Sequence, residues 1–470
     1  MNRIFLCLIA LLIIAGTSYA QDKKLITAPD VIPPATEAMQ HPEFWIDNID
    51  GDPDRIILTP KDIVELNRKA ANRPVELKDI NGNPFSIQGY VNSSDLIGLQ
   101  FYTEDPLAIT SVSGDSLRAR FRRTREHFLK RTYWDRRYLK YSEGIKQEII
   151  DRTDESTIPE TVVPRYGILT SHTLNRVMPE HQAGFGSQYG WLDMLQSTSL
   201  ETGTPVAVLH MSKNRDWCYV KSYHSFGWVP TVQVAFGTIG EIRRLSESDK
   251  FIVALAHKVP VYSDRECIVF VTDIYQSARL NLVRETGNGY NVLMPFRRGD
   301  GSLETLSCWV KPNADIHVGY QPFTQRNIIN TFFRLLNRPY SWMGAEHERS
   351  CSGTVRSVLK TFGILAARGT SFELHYPDHI IMFPKETAKD IKYQYLNTCE
   401  PAITLCGFSG HIMLYLGKVD GVHYIIHQNG YSYHDENGTE LKVGRVSVNH
   451  TELEGGSDIN LWTELSVLKP

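Results

Sequence analysis

The chain has 470 residues, of which 42% are hydrophobic and 22% are charged, and its formal net charge at pH 7 is −3. These values are typical of folded globular proteins, and a chain of this length contains roughly three or four domains. No overall basic excess points to a nucleic-acid partner, and no Cys/His cluster with ligand spacing points to a metal or another cofactor.

Residues 1–20 have the pattern of a secretory signal peptide. Arg3 precedes the apolar residues 4–15, and the sequence Ser-Tyr-Ala stands directly before Gln21. This pattern predicts an exported protein, periplasmic or extracellular, without a membrane span after signal removal. Six cysteines follow the signal, which is too few for a disulfide scaffold, but Cys399 and Cys406 are a possible pair.

Residues 21–160 are predicted to be mainly helical. Thr59, Pro60 and an acid at position 62 form a helix start with a cap and a proline in the first turn. The stretch 118–140 contains ten Lys or Arg residues with aromatic residues between them. We favour the solvated face of an amphipathic helix, and contact with anionic wall fragments is the alternative.

Residues 161–240 and 241–320 each predict a small β-barrel. Both segments contain short apolar strands separated by turn residues, and each ends in a Trp-Val pair. The two segments resemble bacterial SH3-type domains. We expect three tryptophans in the barrel cores: Trp217, Trp228 and Trp309.

Residues 321–470 contain the strongest signals of chemistry. Val355, Val358, Leu359 and Phe362 recur at helical spacing and predict a buried helix that begins near Cys351. Free N–H groups and the helix dipole favour negative charge at this end, so we expect the thiol to ionise more readily than a free cysteine. A thiolate attacks carbonyl carbons, whereas a small buried hydrophobic cysteine is the alternative.

Two strands joined by a turn at residues 420–421 carry three histidines. A plain two-residue turn would pair Leu414 with His427 and place His411 and His427 on opposite faces of the sheet. A loop of odd length or a bulge would place them on the same face, where they could serve one cysteine. We therefore predict one of these irregularities, and His423, which shares the parity of His427, is the alternative.

Four motifs occur in a specific order: Pro339-Tyr340-x-Trp342-x-Gly344, Cys351-Ser352-Gly353, Gly410-His411 and Ile425-Ile426-His427. This order resembles the NlpC/P60 family of papain-like cysteine peptidases. The resemblance implies an α+β fold in which the cysteine helix packs on an antiparallel sheet, preceded by the two SH3-like barrels and the helical region. It implies Cys351 as nucleophile, His411 as general base and acid, and His427 as the residue that orients it. Four residues are candidates for substrate binding: Tyr340, Ser350, Ser352 and Thr370.

The whole layout resembles γ-D-glutamyl-L-diamino acid endopeptidases. This implies a monomeric cysteine endopeptidase that cleaves peptidoglycan stem peptides or muropeptides through a thioester acyl-enzyme. In such proteins the first barrel can close one end of the groove, and Tyr189, Trp191 and Tyr223 are candidates for that contact. Two alternatives stay open: a papain-like acyltransferase or amidase acting on another wall peptide, and a catalytically silent wall-binding SH3 protein.

Ser350 departs from the family pattern. Many relatives carry aspartate at this position, where it is thought to receive the free amine of an N-terminal L-alanine. Serine brings no charge, so a hydrogen bond of about 1 kcal/mol replaces the roughly 1.5–3 kcal/mol expected of a charged pair. Recognition of the amine is therefore in question, and helix capping is the alternative role of Ser350.

Overall fold

The computed structural model describes residues 26–70, 76–101 and 103–470. The predicted signal peptide at 1–20 lies outside the described residues. Within the described ranges, no helix has the length and apolar character needed to cross a membrane.

The N-terminal region combines helices with short strands. Two of its helices pack against the C-terminal domain, because Trp45, Ile46, Ile63 and Leu66 share one apolar core with Val355. The elements are β1 (Ile26–Thr27), α1 (Pro42–Asp47), α2 (Pro60–Ala70), β2 (Glu76–Lys78), β3 (Pro84–Ser86), α3 (Gln88–Leu96), β4 (Val112–Ser113), α4 (Gly114–Lys130) and α5 (Glu143–Arg152).

The first described residues, 26–35, are bound to the C-terminal domain. β1 pairs in parallel with a strand at Glu440–Lys442. Arg445 Nη2 donates a hydrogen bond to the Ala28 carbonyl oxygen at 3.1 Å. Ala28 and Ile32 are buried against Tyr433. This N-terminal strap, residues 26–35, therefore belongs structurally to the last domain.

Helix α4 carries most of the basic stretch on its outer face. Leu117, Phe121 and Phe128 are its buried apolar residues. Several of its arginines form ion pairs with acids of neighbouring segments, including Arg120 with Asp95 at 2.8 Å. This is the amphipathic, cationic helix expected from the sequence.

The first barrel is a seven-stranded sheet in the order β12-β6-β9-β10-β11-β7-β8. A short strand, β5 (Thr161–Val162), pairs with β4 just before it. The barrel strands are β6 (Arg165–Leu169), β7 (Thr173–Arg176), β8 (Gln196–Leu200), β9 (Pro205–Met211), β10 (Trp217–Lys221), β11 (Phe226–Pro230) and β12 (Val234–Phe236).

The helix α6 (Ile239–Ser246) leads into the second barrel, a seven-stranded sheet in the order β15-β14-β18-β17-β16-β13-β19. Its strands are β13 (Phe251–Ala254), β14 (Lys258–Tyr262), β15 (Phe270–Tyr275), β16 (Arg279–Thr286), β17 (Gly289–Arg297), β18 (Leu303–Val310) and β19 (Ile316–Val318).

The tryptophans expected in the barrel cores are buried, but they lie on the outer faces of the barrels. Cys218 and Val220 fill the first barrel, so Trp217 on the same strand points to the opposite face. There, Trp228 packs on Phe121 of α4 with ring centroids 5.5 Å apart. In the second barrel, Cys308 and Val310 are the core residues and Trp309 lies between them in sequence, on the outer face. The prediction of core tryptophans was wrong because strand alternation assigns the core to their neighbours.

The C-terminal domain packs helices on a six-stranded antiparallel sheet in the order β20-β27-β21-β22-β23-β26. The predicted α+β class, with a cysteine helix against an antiparallel sheet, is confirmed. The elements are α7 (Gln325–Phe333), α8 (Cys351–Lys360), α9 (Thr370–Leu374), β20 (His379–Met382), α10 (Lys389–Leu396), β21 (Thr404–Phe408), β22 (His411–Val419), β23 (Val422–Asn429), β24 (Ser432–His434), β25 (Glu440–Lys442), β26 (Arg445–His450) and β27 (Glu464–Val467).

A distorted segment, Trp342–His347, precedes the cysteine helix and lies on β8 of the first barrel. Met343, Gly344 and Glu346 have positive φ angles of 53°, 85° and 54°. A β-carbon on Gly344 would lie 2.5 Å from the Ser199 hydroxyl oxygen, so glycine permits the close approach of the barrel. The segment thereby joins the first barrel to the C-terminal domain.

Candidate active site

Cys351 is the first residue of α8 and is only 4% exposed. Its Sγ lies 3.7 Å from the carbonyl oxygen of the peptide that links Gly410 to His411, and 4.0 Å from the Thr370 hydroxyl oxygen. Burial raises the pKa of the thiol, although the Ile412 backbone N–H and the Arg368 charge act in the opposite direction. The expectation of an easily ionised thiol was therefore wrong, because desolvation outweighs the helix terminus.

The predicted bulge is present in the hairpin of β22 and β23. Val419 pairs with Val422 across the turn, but the register shifts between Tyr415 and Gly417, so Leu414 faces Ile426. The shift brings His411 and His427 to one face of the sheet. His411 Nε2 lies 2.6 Å from His427 Nδ1, and both rings are buried.

His423 does not join this pair. Its Nδ1 hydrogen-bonds the Tyr415 hydroxyl at 2.8 Å, and its ring stacks on Tyr393. The alternative assignment of His423 is thus not supported by the geometry.

The histidine pair continues into a chain of polar side chains that the sequence did not predict. His427 Nε2 lies 2.8 Å from Asn449 Oδ1 and 3.2 Å from the Ser457 hydroxyl oxygen. Asn449 Oδ1 also accepts hydrogen bonds from the Ser447 hydroxyl at 2.8 Å and from Asn429 Nδ2 at 3.3 Å. His427 is thus held by side chains from two strands of the sheet, β23 and β26.

This chain fixes the protonated nitrogen of each ring. Asn429 Oδ1 accepts a hydrogen bond from the Tyr431 backbone N–H at 2.9 Å, so the amide nitrogen of Asn429 must point to Asn449. The facing atom of Asn449 is then its oxygen, and His427 Nε2 must carry the proton that it donates to it. His427 Nδ1 is consequently an acceptor, and His411 donates from Nε2. His411 Nδ1 is left unprotonated, as a general base requires.

Both histidines are neutral in this environment. Burial lowers the pKa of His411 well below its usual range, and the His427 ring acts in the same direction. Burial also lowers the pKa of His427 to about 4, although the hydrogen bond that His427 donates to Asn449 acts in the opposite direction. These shifts favour a neutral thiol beside a neutral imidazole pair over a thiolate-imidazolium ion pair.

Two tyrosines form walls around the thiol. Tyr340 is coupled electrostatically to Cys351, and burial raises its pKa well above the usual range. The ring of Tyr431 lies 5.1 Å from that of His411, measured between centroids. Gly430 allows the chain to pass close to the Tyr340 ring, because a β-carbon at residue 430 would lie 2.9 Å from that ring.

A loop of the first barrel reaches this wall through one aromatic residue. The Trp191 ring meets the Tyr340 ring edge to face, with centroids 5.4 Å apart, and Lys442 Nζ lies 5.0 Å from the Trp191 centroid. Tyr189 instead packs on Tyr138. Tyr223 was the third candidate for this contact, but its hydroxyl accepts a hydrogen bond from Arg356 on the far side of α8.

Ser350 and Ser352 point inward to a buried guanidinium. Arg368 Nη2 donates to the Ser350 hydroxyl at 2.9 Å, and Arg368 Nη1 donates to the Ser352 hydroxyl. The two serines are 2% and 5% exposed. Ser350 occupies the N-cap position of α8 but makes no side-chain capping bond. The geometry thus gives both serines a role in holding Arg368, and it supports neither direct substrate contact nor capping.

Thr370 lies beside the thiol, whereas Cys399 and Cys406 form no disulfide. Thr370 begins α9 and faces the thiol, as described above. Cys399 and Cys406 are both free, so the suggested disulfide is not formed. Sequence reasoning missed Asn429 and Asn449; the alternation of β23, which puts residues 427 and 429 on one face, could have indicated the first.

Comparisons with known proteins agree with this architecture. Residues 181–230 match the SH3 domain family of the SH3b1 type. An NlpC/P60 endopeptidase from Photobacterium damselae subsp. piscicida superposes with a TM-score of 0.68 at 17% sequence identity, covering 94% of this chain and 98% of that one. An NlpC/P60 family protein from Bacillus cereus ATCC 10987 gives a TM-score of 0.45 at 17% identity, covering 65% of this chain and 100% of that one. No curated protein matches the sequence.

The fold class follows from these findings and from the geometry. The chain has the NlpC/P60 fold, with bacterial SH3-type domain structure in front of it. Its Cys/His site lies where that fold joins a helix N-terminus to an antiparallel sheet.

Proposed function

We propose that this protein is an exported cysteine endopeptidase that hydrolyses the γ-D-glutamyl-diamino acid bond of short peptidoglycan stem peptides. The observation that carries the proposal is the hydrogen-bonded chain from His411 through His427 to Asn449, beside a thiol that lies 3.7 Å from the carbonyl oxygen of Gly410, the residue before His411. A silent binding protein has no need for a neutral base whose tautomer is fixed by four connected hydrogen bonds.

The reaction uses two proton transfers. His411 Nδ1 takes the thiol proton as Cys351 Sγ attacks the amide carbonyl. Because the proton moves only during this attack, the thiol and the imidazole stay neutral until substrate is bound. The protonated ring then gives the proton to the leaving amine, and a thioester remains on Cys351. Water, activated by the same ring, hydrolyses the thioester and restores the thiol.

Hydrogen bonding from His411 to His427 and on to Asn449 spreads the positive charge that develops on His411. Asn449 contributes a neutral acceptor rather than a carboxylate, so it orients the rings without forming an ion pair. This supports a general-base mechanism over a preformed thiolate.

The contact between the first barrel and Tyr340 supports a preference for short substrates. Trp191 and Lys442 stand at the edge of the Tyr340 wall, where an extended wall polymer would have to pass. A terminal or released peptide needs no such passage. Muropeptides and stem peptides from wall turnover are therefore the proposed substrates.

The residue before the nucleophile does not support recognition of a free amine. Ser350 binds Arg368, whose positive charge opposes an ammonium group at this position. We propose that a neutral, acylated N-terminus is accepted as well as a free one.

Mass spectrometry of the products tests the function. The substrates are L-Ala-γ-D-Glu-diaminopimelate with a free amine and the same peptide with its amine acetylated, and Cys351→Ala is the inactive control. Cleavage of both peptides is expected. Cleavage of the free peptide alone would refute relaxed amine recognition, and cleavage of neither by folded protein would refute the endopeptidase in favour of acyl transfer or wall binding.

A further inference from the structure

A small cavity lies behind the cysteine helix, where both barrels meet the C-terminal domain. Its volume is about 20 Å³, and it is lined by His172 and Ser199 of the first barrel, Gln276 of the second, and Gly344 and Gly353 of the C-terminal domain. A cavity of this size holds about one particle as large as a water molecule.

Three arginines also line the cavity: Arg349, Arg356 and Arg368. All three are buried, with exposures of 8%, 4% and 3%. Among the described residues, no carboxylate lies within 4.0 Å of the Arg349 or Arg368 guanidinium, whereas Arg356 pairs with Glu201 at 3.0 Å. Buried charges are normally paired, so two guanidiniums without a counter-ion at one cavity need an explanation.

Two carboxylates, Glu201 and Glu348, also line the cavity, and both are already paired with cations. Glu201 binds Lys360 at 2.8 Å in addition to Arg356, and Glu348 binds Arg338. Glu373 is the carboxylic acid whose charge acts on Arg368. Burial raises the pKa of Glu373 well above its usual range, which weakens Glu373 as a counter-ion. Burial lowers the pKa of Arg349 only to about 10, so Arg349 is charged at neutral pH. The lining therefore has an excess of positive charge.

Two side chains of the lining, His172 and Arg356, have buried nitrogen atoms without a hydrogen-bond partner in the described part of the chain. Both ring nitrogens of His172 and Nε of Arg356 are buried without a hydrogen bond to any described residue. His172 is 8% exposed, and in either neutral tautomer its ring offers one N–H group. Unpartnered buried donors beside uncompensated positive charge are the features of an anion site.

We propose that this cavity binds a single chloride ion between His172, Arg349 and Arg356. A carboxylate or phosphate is too large for about 20 Å³. A water molecule would satisfy one or two donors but would leave the charge of the arginines uncompensated. This proposal does not depend on the proposed peptidase activity.

The ion would link the two barrels to the C-terminal domain. His172 belongs to the first barrel, Gln276 to the second, and Arg356 to the helix that begins with Cys351. Binding of an anion that only the assembled domains can coordinate stabilises their association by linkage. Chloride would thus hold both barrels against the back of the cysteine helix.

Bromide replaces chloride in the first test. Crystals of the mature protein are soaked in sodium bromide, and anomalous scattering is measured at the bromine edge. An anomalous peak among His172, Arg349 and Arg356 is expected. Density of water size without an anomalous signal would overturn the proposal.

Thermal unfolding provides an independent readout. At constant ionic strength, replacing gluconate with chloride should raise Tm by a few degrees and the rise should saturate. Gly353→Ala adds a methyl group to the cavity wall without a clash, because its β-carbon would lie 3.4 Å from Arg368 Nη2 and 3.6 Å from Arg349 Cβ. This variant should lose the chloride response.

Gly240→Ala is the matched control, because it is also a helical glycine and its β-carbon meets no atom within 4 Å. Gly240→Ala should keep the full chloride response. An equal response in the two variants, or a Tm that does not respond to chloride in the unmodified protein, would show that no specific ion is bound.

Discussion

Asn449 should set the acid limit of activity, although it touches neither the thiol nor His411. Its Oδ1 is 2.8 Å from His427 Nε2 in a fully buried position. Asn449→Leu removes the acceptor at similar volume. Loss of the hydrogen bond costs about 1 kcal/mol, and about 3 kcal/mol if the His427 N–H stays unpaired. At 1.36 kcal/mol per factor of ten, kcat/KM should fall roughly 5-fold to 150-fold.

Asn449→Asp separates orientation from structural support. The carboxylate keeps the acceptor but favours the imidazolium form, so the pKa of the histidine pair should rise from the value of about 4 found for His427. A protonated pair cannot take the thiol proton. The acid limb of kcat/KM should therefore move to higher pH, toward the ordinary histidine pKa of 6.5.

The assay is the pH dependence of kcat/KM from pH 3.5 to 8, with circular dichroism at each pH to confirm folding. A residue that only supports the sheet would lower activity uniformly and leave the acid limb in place. An unchanged acid limb in folded Asn449→Asp, or full activity in folded Asn449→Leu, would refute the proposed role of Asn449 in the hydrogen-bonded chain.

Four further outcomes follow from the same geometry. Cys351→Ala should abolish turnover and keep the fold, and His427→Gln should lose less kcat/KM than His411→Ala, since an orienting group is partly replaceable; retained activity in the first variant or equal losses in the other two would contradict these roles. Trp191→Ala should raise the rate on cross-linked wall relative to the free stem peptide, measured by release of soluble fragments, and an unchanged ratio would exclude the barrel contact as a size filter. His427 is neutral when folded but protonates below pH 6.5 when unfolded, so stability is lost as pH falls toward 4, on the order of 3 kcal/mol in total. Urea unfolding should show that His427→Gln flattens this pH dependence by up to about 1.4 kcal/mol per pH unit, and an identical slope would argue against a buried neutral His427.

Strand periodicity predicted the main feature of the site. The parity of His411 and His427 required an irregular hairpin, and the register shift between Tyr415 and Gly417 supplies it. This succeeded because side chains alternate strictly along a strand, so a mismatch of one residue must be absorbed somewhere. The start of α8 at Cys351 was equally readable, because its apolar face repeats with helical spacing.

Other features depend on contacts that local patterns do not encode. The raised pKa of Cys351 comes from burial by distant segments, which a helix terminus cannot reveal. Ser350 turned out to bind Arg368, a residue 18 positions away in the chain. Trp228 was expected in the barrel core, but it is buried on the outer face of the barrel, where α4 packs against it.

The N-terminal strap has a consequence for the order in which the molecule can fold. β1 at Ile26–Thr27 pairs with β25 at Glu440–Lys442, so the first and last parts of the described chain complete one small sheet. Contacts between such distant residues form late, because their loop-closure entropy must be overcome first. The small sheet therefore cannot be completed until residues 440–442 have been synthesised.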